Sequence, residues 1–323
     1  MTHAIRVHKV GGPDVLSYEP VEIGEPGPGE AKIRQEAIGL NFIDVYYRTG
    51  LYKAPSLPFI PGNEGAGIVI SVGPGVSNIK PGDRVAYVAL GAYAEERIVP
   101  ADRLVIVPDG IDLKTAAAVM LKGMTAQYLL RRTFHVKKGD TILIHAAAGG
   151  VGLIAGQWAK HLGATVIGTA SSPEKIELAK ANGYDHVINY RTENFVERVK
   201  ELTGGQGVDV VYDSVGKDTF PASLDVLKPF GMFVSFGQSS GSIPPFDIAI
   251  LQQKGSLFAT RPSLNQYTAK RHDLEAIAKD LFSVIESGVV SVHINQTYAL
   301  KDAAKAHADL ESRKTTGVSV LIP

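Results

Sequence analysis

The chain contains no cysteine. That excludes disulfides, thiolate nucleophiles and any zinc site built on cysteine, and leaves only histidine and carboxylates as metal ligands. It also lacks an excess of charge of either sign, since 33 Lys and Arg balance 33 Asp and Glu. A neutral chain gives no electrostatic reason to expect a nucleic acid or an anionic membrane surface as partner. No unbroken apolar run approaches the roughly 20 residues of a membrane span. The opening residues, Met1 to Val10, carry no secretory apolar core, so a cytoplasmic location is expected. There is no internal repeat and no low-complexity linker. The 323 residues, 45% hydrophobic and 20% charged, have an ordinary globular balance. Their number suits about two domains.

What is present is organised around residues 140–160. Thr141 to His145 reads as a short strand, Ala146 to Gly152 as a small-residue turn, and Leu153 to Leu162 as an apolar helix. Strand, glycine turn and helix form the setting a dinucleotide fingerprint needs. A pyrophosphate lies against backbone N–H groups at a helix N-terminus, where the helix dipole favours negative charge. Gly149 and Gly150 remove side chains that would hold phosphates away, Val151 follows in the same turn, and Gly152 lets the helix approach the strands. Ala147 stands where the first glycine usually does, so the pattern is A-x-G-x-x-G. The bland alternative is a plain strand–helix turn.

Residues 1–122 read as mostly β. Short β-prone runs at Lys32–Leu40, Gly67–Val72, Arg84–Val88 and Glu95–Val99 are separated by Pro/Gly turn clusters, a pattern that predicts an antiparallel barrel or sandwich. Thr115 to Arg131 has helical character. From about Gly139 strands alternate with helices. Thr165–Thr169, His186–Asn189, Val208–Tyr212, Met232–Phe236 and Leu257–Ala259 continue the strands; Ser172 caps a helix that opens on Pro173 and Glu174, and Glu193–Leu202 is another. Alternation of this kind predicts a doubly wound parallel sheet. Tyr267–Glu286 and Lys301–Glu311 read as helices and Val318–Ile322 as a closing strand. These tail elements are expected to rejoin the N-terminal domain. The expected division is therefore 1–122 with 264–323, and 123–263.

In NAD-binding folds an acid about 20 residues beyond the glycines takes the ribose hydroxyls. Here that region reads Gly168-Thr-Ala-Ser-Ser-Pro-Glu-Lys175. The strand end carries hydroxyls and, a helical turn on, a lysine. Ser171, Ser172 and Lys175 suit a 2′-phosphate that a carboxylate would repel, so NADPH is expected over NADH. Glu174 is the alternative ribose partner, but it follows Pro173 and is expected to face solvent.

Several segments together resemble the zinc-independent quinone oxidoreductases of the medium-chain dehydrogenase/reductase superfamily. The residues are the Gly139–Lys160 run, with Gly139-Asp140, Ala147-Ala148-Gly149-Gly150, Gly152, Gln157 and Lys160; Gly39-Leu-Asn-Phe-Ile-Asp44; Pro61-Gly-Asn-Glu-Gly-Ala-Gly67; Asp213-Ser-Val-Gly216; Ser235-Phe-Gly237; and Thr260-Arg-Pro262. The resemblance covers nearly the whole chain and is greatest to the bacterial NADPH:quinone reductases. It implies an α/β protein in which a Rossmann doubly wound sheet joins a GroES-like, mostly β catalytic domain, with a cleft between them and a homodimer. Zinc-dependent relatives carry Cys where Asn41 stands and Gly-His-Glu where Gly62-Asn63-Glu64 stands, so both nitrogen and sulfur ligands are replaced. Without zinc a simple ketone lacks its Lewis acid. A quinone is electrophilic enough that holding it against the nicotinamide suffices.

The aromatic residues Tyr46, Tyr47 and Tyr52 lie between Gly39 and Gly50 or just beyond, and suit a flat ring with a carbonyl to bind. Tyr47 is expected to fill core. The resemblance implies that Asn41 and Tyr46 meet the nicotinamide end and Tyr52 the substrate, with Tyr46 and Tyr52 as polarisers or proton donors. It also brings Tyr190 and Arg313 to the adenosine phosphate. Ser214, Phe236, Gly237 and Ser239 follow the fourth and fifth strands of the parallel sheet, at the edge where such sheets bind ligands. Arg261 would neutralise the pyrophosphate, and Thr125 and Tyr128 would meet the cofactor at the domain junction. His145, His186 and His293 are read as structural.

The expected activity is thus NADPH-dependent reduction of quinones. One alternative keeps the hydride chemistry and changes the acceptor to an α,β-unsaturated carbonyl. Another is a protein that senses NADPH, or binds RNA, without turnover; the zero net charge argues against RNA.

Overall fold

The computed structural model describes residues 2–323. The chain divides into two compact units. One comprises residues up to Met124 with Lys270–Glu286 and Val292–Pro323; the other comprises Thr125–Ala269 with Ser287–Ser291.

The first unit opens with an antiparallel hairpin, β1 (Thr2–Val7) and β2 (Leu16–Val21). β3 (Glu30–Gly39) alternates buried and exposed residues over most of its length, as a strand with one core face should. It leads into helix α1 (Phe42–Thr49). Asn41 precedes this helix in an extended conformation, the Asp44 carboxylate accepts the Asn41 backbone N–H (2.9 Å), and Gly50 closes the far end at φ 81°. β4 (Glu64–Val72), β5 (Arg84–Val88), β6 (Glu96–Pro100) and β7 (Val105–Ile106) follow, then helix α2 (Leu113–Tyr128). β3 pairs antiparallel with β4 and β6, β4 with β5, and β5 with β7. β4 begins three residues before the expected Gly67, because Glu64-Gly-Ala is strand and not turn. A side chain at Gly65 would meet Gln35 Oε1 at 2.3 Å and the Tyr87 hydroxyl at 2.7 Å. The core beneath these strands holds Ile5, Ile33, Ile38, Val85, Tyr87 and Tyr93.

The second unit is a six-stranded sheet. Its elements are β8 (Thr141–Ile144), α3 (Gly150–His161), β9 (Thr165–Ala170), α4 (Pro173–Lys180), β10 (His186–Asn189), α5 (Phe195–Leu202), β11 (Val208–Asp213), β12 (Leu227–Ser235), α6 (Ala249–Gln253) and β13 (Phe258–Thr260). The order is β10-β9-β8-β11-β12-β13 and every pairing is parallel. The fold is therefore α/β with a doubly wound sheet. Its strand order reverses between β8 and β11, the point at which such sheets bind ligands. Leu143, Ile167, Val211 and Phe233 supply the core of the sheet.

Helix α7 (Leu264–Tyr267) and helix α8 (Arg271–Glu286) replace the single helix expected over Tyr267–Glu286. The break has a local cause. The Thr268 hydroxyl turns back to the Leu264 carbonyl (2.9 Å) and α7 ends there. The tail then gives β14 (Ile294–Ala299), helix α9 (Ala303–Glu311) and β15 (Val318–Ile322). β15 pairs antiparallel with β3 but parallel with β14, so the seven-stranded sheet of the first unit is mixed and not purely antiparallel as expected. The crossover between β14 and β15 runs through α9. Among the described residues no helix is long and apolar enough to cross a membrane.

Candidate active site

The glycine turn of the second unit is shaped by backbone, not by side chains. Ala146 adopts φ 56°, the left-handed region, and its carbonyl accepts the Gly149 N–H (2.9 Å). A Cβ at Gly152 would meet the carbonyl oxygens of Ala146 at 2.5 Å and Ala147 at 2.6 Å, so the fold itself demands glycine there. Gly149 differs. An added Cβ would meet nothing nearer than the Ala146 oxygen at 3.2 Å. That contact is tight but less severe than the two at Gly152, so the fold presses less hard for glycine here. α3 starts on Gly150 with Gly149 as its N-cap and no side-chain cap, so its first N–H groups face no capping side chain; Val151 is half-buried. A pyrophosphate fits this cradle.

Tyr184 braces the turn from behind. Its ring lies in a notch where Cβ atoms at Gly156 and Gly168 would come within 2.2 Å and 2.6 Å of it, and its hydroxyl donates to the Gly152 carbonyl (2.7 Å). Below the ends of β8, β9 and β11, His145 bridges the hydroxyls of Thr169 and Ser223, each at 3.0 Å. Asp213 accepts from Thr219, Ser223 and the N–H groups of Val215 and Gly216. Burial holds the His145 imidazole below its ordinary pKa, against the pull of Asp213. Histidine, serine and aspartate do meet here, but serine stands between the other two. The cluster is a buried support, not a nucleophilic triad.

Around the rim of the same sheet, Ser172 caps α4 through the Lys175 N–H (3.4 Å), which commits its hydroxyl to the backbone. Ser171 and Lys175 are half-buried beside it, while Tyr190 and Glu174 are exposed. The loops after β11 and β12 are zipped together. Ser239 N–H donates to Ser214 O (3.1 Å), Phe236 N–H to Asp213 O (2.8 Å), and a Cβ at Gly237 would strike Ser214 O at 2.7 Å. Arg261 lies across this loop pair and donates to the Ser235 hydroxyl (2.9 Å) and the Gly237 carbonyl (3.1 Å). Tyr128, hydrogen-bonded by Thr125, stacks on Tyr267 with ring centroids 4.6 Å apart; burial pushes its phenol pKa up. Arg313, exposed at φ 61°, belongs to the first unit.

In the first unit the residues around α1 form a buried polar cluster. Asn41 Nδ2 donates to Glu64 Oε1 (2.8 Å), and Asn63 Nδ2 donates to Asp44 Oδ1 (2.7 Å). Asp44 Oδ2 accepts the Asn41 N–H (2.9 Å) and the Tyr93 hydroxyl (3.0 Å). Glu64 also accepts the Lys122 ammonium and the Leu121 N–H (2.6 Å). The cluster continues outward: Tyr93 meets His307 Nε2 (3.0 Å), Arg48 meets His307 Nδ1 (3.4 Å), and Arg48 grips Glu311 with two bonds of 2.8 Å. Burial raises Asp44 to about 7 against its hydrogen bonds, and burial with the nearby Arg48 drives His307 down to about 3. Beside the cluster, Tyr52 packs against Tyr46 (5.2 Å between centroids) and edge-on to Tyr47 (5.8 Å). Tyr47 also packs on the hydrophobic core.

These carboxylates do not fit a zinc ion. Each of their four oxygens already accepts at least one donor, an ammonium already supplies the positive charge, and the neighbouring nitrogens are amides. Among the described residues no three His, Asp or Glu side chains gather in a metal-holding group.

Two family descriptions match the chain: the alcohol dehydrogenase GroES-like domain over residues 27–109 and the zinc-binding dehydrogenase over residues 150–278. A quinone oxidoreductase of Pseudomonas aeruginosa is 54% identical, with 100% of both chains covered. The chain belongs to the quinone oxidoreductase family of medium-chain dehydrogenases/reductases. The crystal structure of Escherichia coli quinone oxidoreductase complexed with NADPH matches at a TM-score of 0.98 and 52% identity, covering 99% of this chain and 100% of that one. A 2-haloacrylate reductase of a Burkholderia species is 48% identical over 100% of this chain and 99% of its own. Although one matched family is described as zinc-binding, this quinone oxidoreductase family member lacks a donor set for zinc at the positions discussed above.

The sequence pointed to Asn41, Tyr46 and Tyr52 but not to Lys122, Tyr93, His307 or Arg48, nor to Tyr184 and Tyr267 in the second unit. Lys122 did leave a signal: it is the one charged side chain between residues 115 and 130. A lone charge in an apolar helix needs a partner. Asn63, which stands where zinc-dependent relatives carry His, is buried and bonded to Asp44.

Proposed function

We propose that the protein reduces quinones to hydroquinones with NADPH as reductant. The observation that carries this reading is the dinucleotide cradle: a glycine start to α3 at Gly149 and Gly150 with no capping side chain, followed by a β9 end with hydroxyls and Lys175 in place of a carboxylate. The kinship to quinone oxidoreductases supports the acceptor. NADPH when bound supplies the hydride. The chain's own residues bind and orient. Gly149, Gly150 and Val151 hold the pyrophosphate; Ser171, Lys175, Tyr190 and Arg313 hold the adenosine phosphate. Ser214, Phe236, Gly237, Ser239 and Arg261 hold the middle of the dinucleotide, and Thr125, Tyr128, Asn41 and Tyr46 its nicotinamide end. Tyr46 and Tyr52 offer ring faces and phenol protons to a quinone, which takes up one hydride and one proton in all. Water can supply that proton, so no dedicated acid is required.

The acceptor has a second reading. A haloacrylate is an electron-poor alkene, and a reductase named for it is 48% identical to this chain. Assay with NADPH against a 1,4-quinone, 2-chloroacrylate and a simple enone decides. The quinone is expected to have the highest kcat/KM, and turnover confined to the alkenes would replace the proposal.

The protein is further proposed to work as a homodimer in the cytoplasm, where its reductant is made. β13 is the edge of the six-stranded sheet and all three of its residues are exposed, Phe258 by 57%. Phe230 and Ile248 add exposed apolar surface at 72% and 76%. An open, apolar strand edge favours pairing with a second copy.

A further inference from the structure

Asn41 is held between two buried carboxylates. Its backbone N–H is taken by Asp44, and its side-chain Nδ2 donates to Glu64 Oε1 (2.8 Å) and lies 3.4 Å from the Gly39 carbonyl. The same Glu64 oxygen receives the Lys122 ammonium, and the other receives the Leu121 N–H (2.6 Å). Glu64 has no exposure and the Lys122 side chain 8%. Asp44, Tyr87 and Tyr93 also feel the charges of this pair. Exchanging nitrogen and oxygen in the Asn41 amide would set a lone pair 2.8 Å from a carboxylate oxygen. With the Lys122 ammonium donating to that same oxygen, the amide has one stable orientation.

We infer that the Lys122–Glu64 ion pair is a positioning device for Asn41, turning its NH2 inward so that the amide oxygen is what a bound ligand meets. This rests on the assignment of Asn41 to the site made above. An amide whose N–H groups are committed inside the protein can only accept. A quinone carries acceptors alone, so the ligand donor belongs to the dinucleotide: an N–H or O–H of its carboxamide or ribose. With the Lys122 ammonium and the Leu121 N–H donating to its two oxygens, Glu64 presents only an acceptor to Asn41, and nothing there turns the amide around.

The pair Glu64→Gln/Lys122→Met separates positioning from mere stability. It buries no charge and nearly keeps both shapes. The Leu121 N–H claims the new amide oxygen, which leaves the Gln NH2 facing Asn41 and inverts the Asn41 amide. The expected result is a melting temperature close to that of the parent, a rise of about tenfold in the NADPH dissociation constant by fluorescence titration, and a quinone KM little changed at saturating NADPH. In an Asn41→Ala background the same double change is expected to add nothing to the NADPH constant. If the double variant binds NADPH like the parent, or weakens binding equally in the Asn41→Ala background, the inference is overturned. Should the double variant not fold, Glu64→Gln alone is read by the same two criteria. Failure of the underlying assignment looks different: Asn41→Ala by itself would leave both NADPH binding and quinone turnover unaltered.

Discussion

His307 Nε2 lies 3.0 Å from the Tyr93 hydroxyl while its Nδ1 lies 3.4 Å from the Arg48 guanidinium. Because an arginine only donates, Nδ1 must accept, and the proton of the neutral ring sits on Nε2. The Tyr93 hydroxyl is then left to donate to Asp44. A fixed direction of donation thus runs from Arg48 to the cluster around Asn41.

That arrangement gives His307 a pH-dependent share in stability. Burial holds His307 near 3 when folded, against 6.5 for a free imidazole. Between those values the unfolded chain binds the proton and the folded chain does not, so His307 withdraws stability as pH drops below about 6.5, while Asp44, raised to about 7, adds stability over the same range with the opposite sign. The slope from this one residue is at most about 1.4 kcal/mol per pH unit. Urea unfolding at pH 7, 6 and 5 should show His307→Asn well below the parent at pH 7, with the gap shrinking by about 0.7 kcal/mol from pH 7 to 6 and about 1.2 kcal/mol from pH 6 to 5. A gap that stays constant across the series would contradict the assignment.

The two glycines of the phosphate turn should fail in different ways. Gly152→Ala forces a Cβ to 2.5 Å from a carbonyl oxygen and is expected to lower the melting temperature sharply. Gly149→Ala, whose Cβ would lie 3.2 Å from the same oxygen, is expected to lower it by much less, while weakening NADPH about tenfold or more by blocking the approach of the phosphates. Calorimetry and a cofactor titration on both variants test this, and equal melting losses would count against it.

Lys175→Ala should separate the two dinucleotides. Loss of one charge-assisted bond to a 2′-phosphate predicts a rise of about tenfold or more in the KM for NADPH. The KM for NADH is expected to stay close to its parental value. Steady-state kinetics with both cofactors provide the check, and parallel increases would remove Lys175 from that role.

Phe258→Lys places a charge on the open edge of the parallel sheet. The expected outcome is a shift from dimer to monomer in sedimentation equilibrium with an unchanged circular dichroism spectrum. Retention of the dimer would direct attention to another face.

Much of the sheet architecture was legible because local signals sufficed. The boundaries of β5, β10 and β15 coincide with the apolar runs in the sequence, and Ser172 marks the start of α4 as its residue type and the following proline require. α1 was harder. It spans two turns, six of its eight side chains are β-branched or aromatic, and the tyrosines suggest stacking more than helix. The candidate site was legible only where its residues cluster in sequence. Glu64 and Lys122 are 58 positions apart, Tyr93 and His307 214 apart, and no periodicity links them. Such partners are joined by the sheet, which is assembled from the two ends of the chain.

The notch that receives the Tyr184 ring is cut from Gly156 on a helix and Gly168 on a strand, while Gly183 at φ 91° lets the chain arrive there. A larger residue at any of these three sites collides with the ring or with neighbouring backbone, and a smaller one at 184 leaves a void and removes the hydrogen bond to Gly152. Homologous chains should therefore alter these four positions jointly or leave them alone, making the quartet a fingerprint that can be looked for without knowing any substrate.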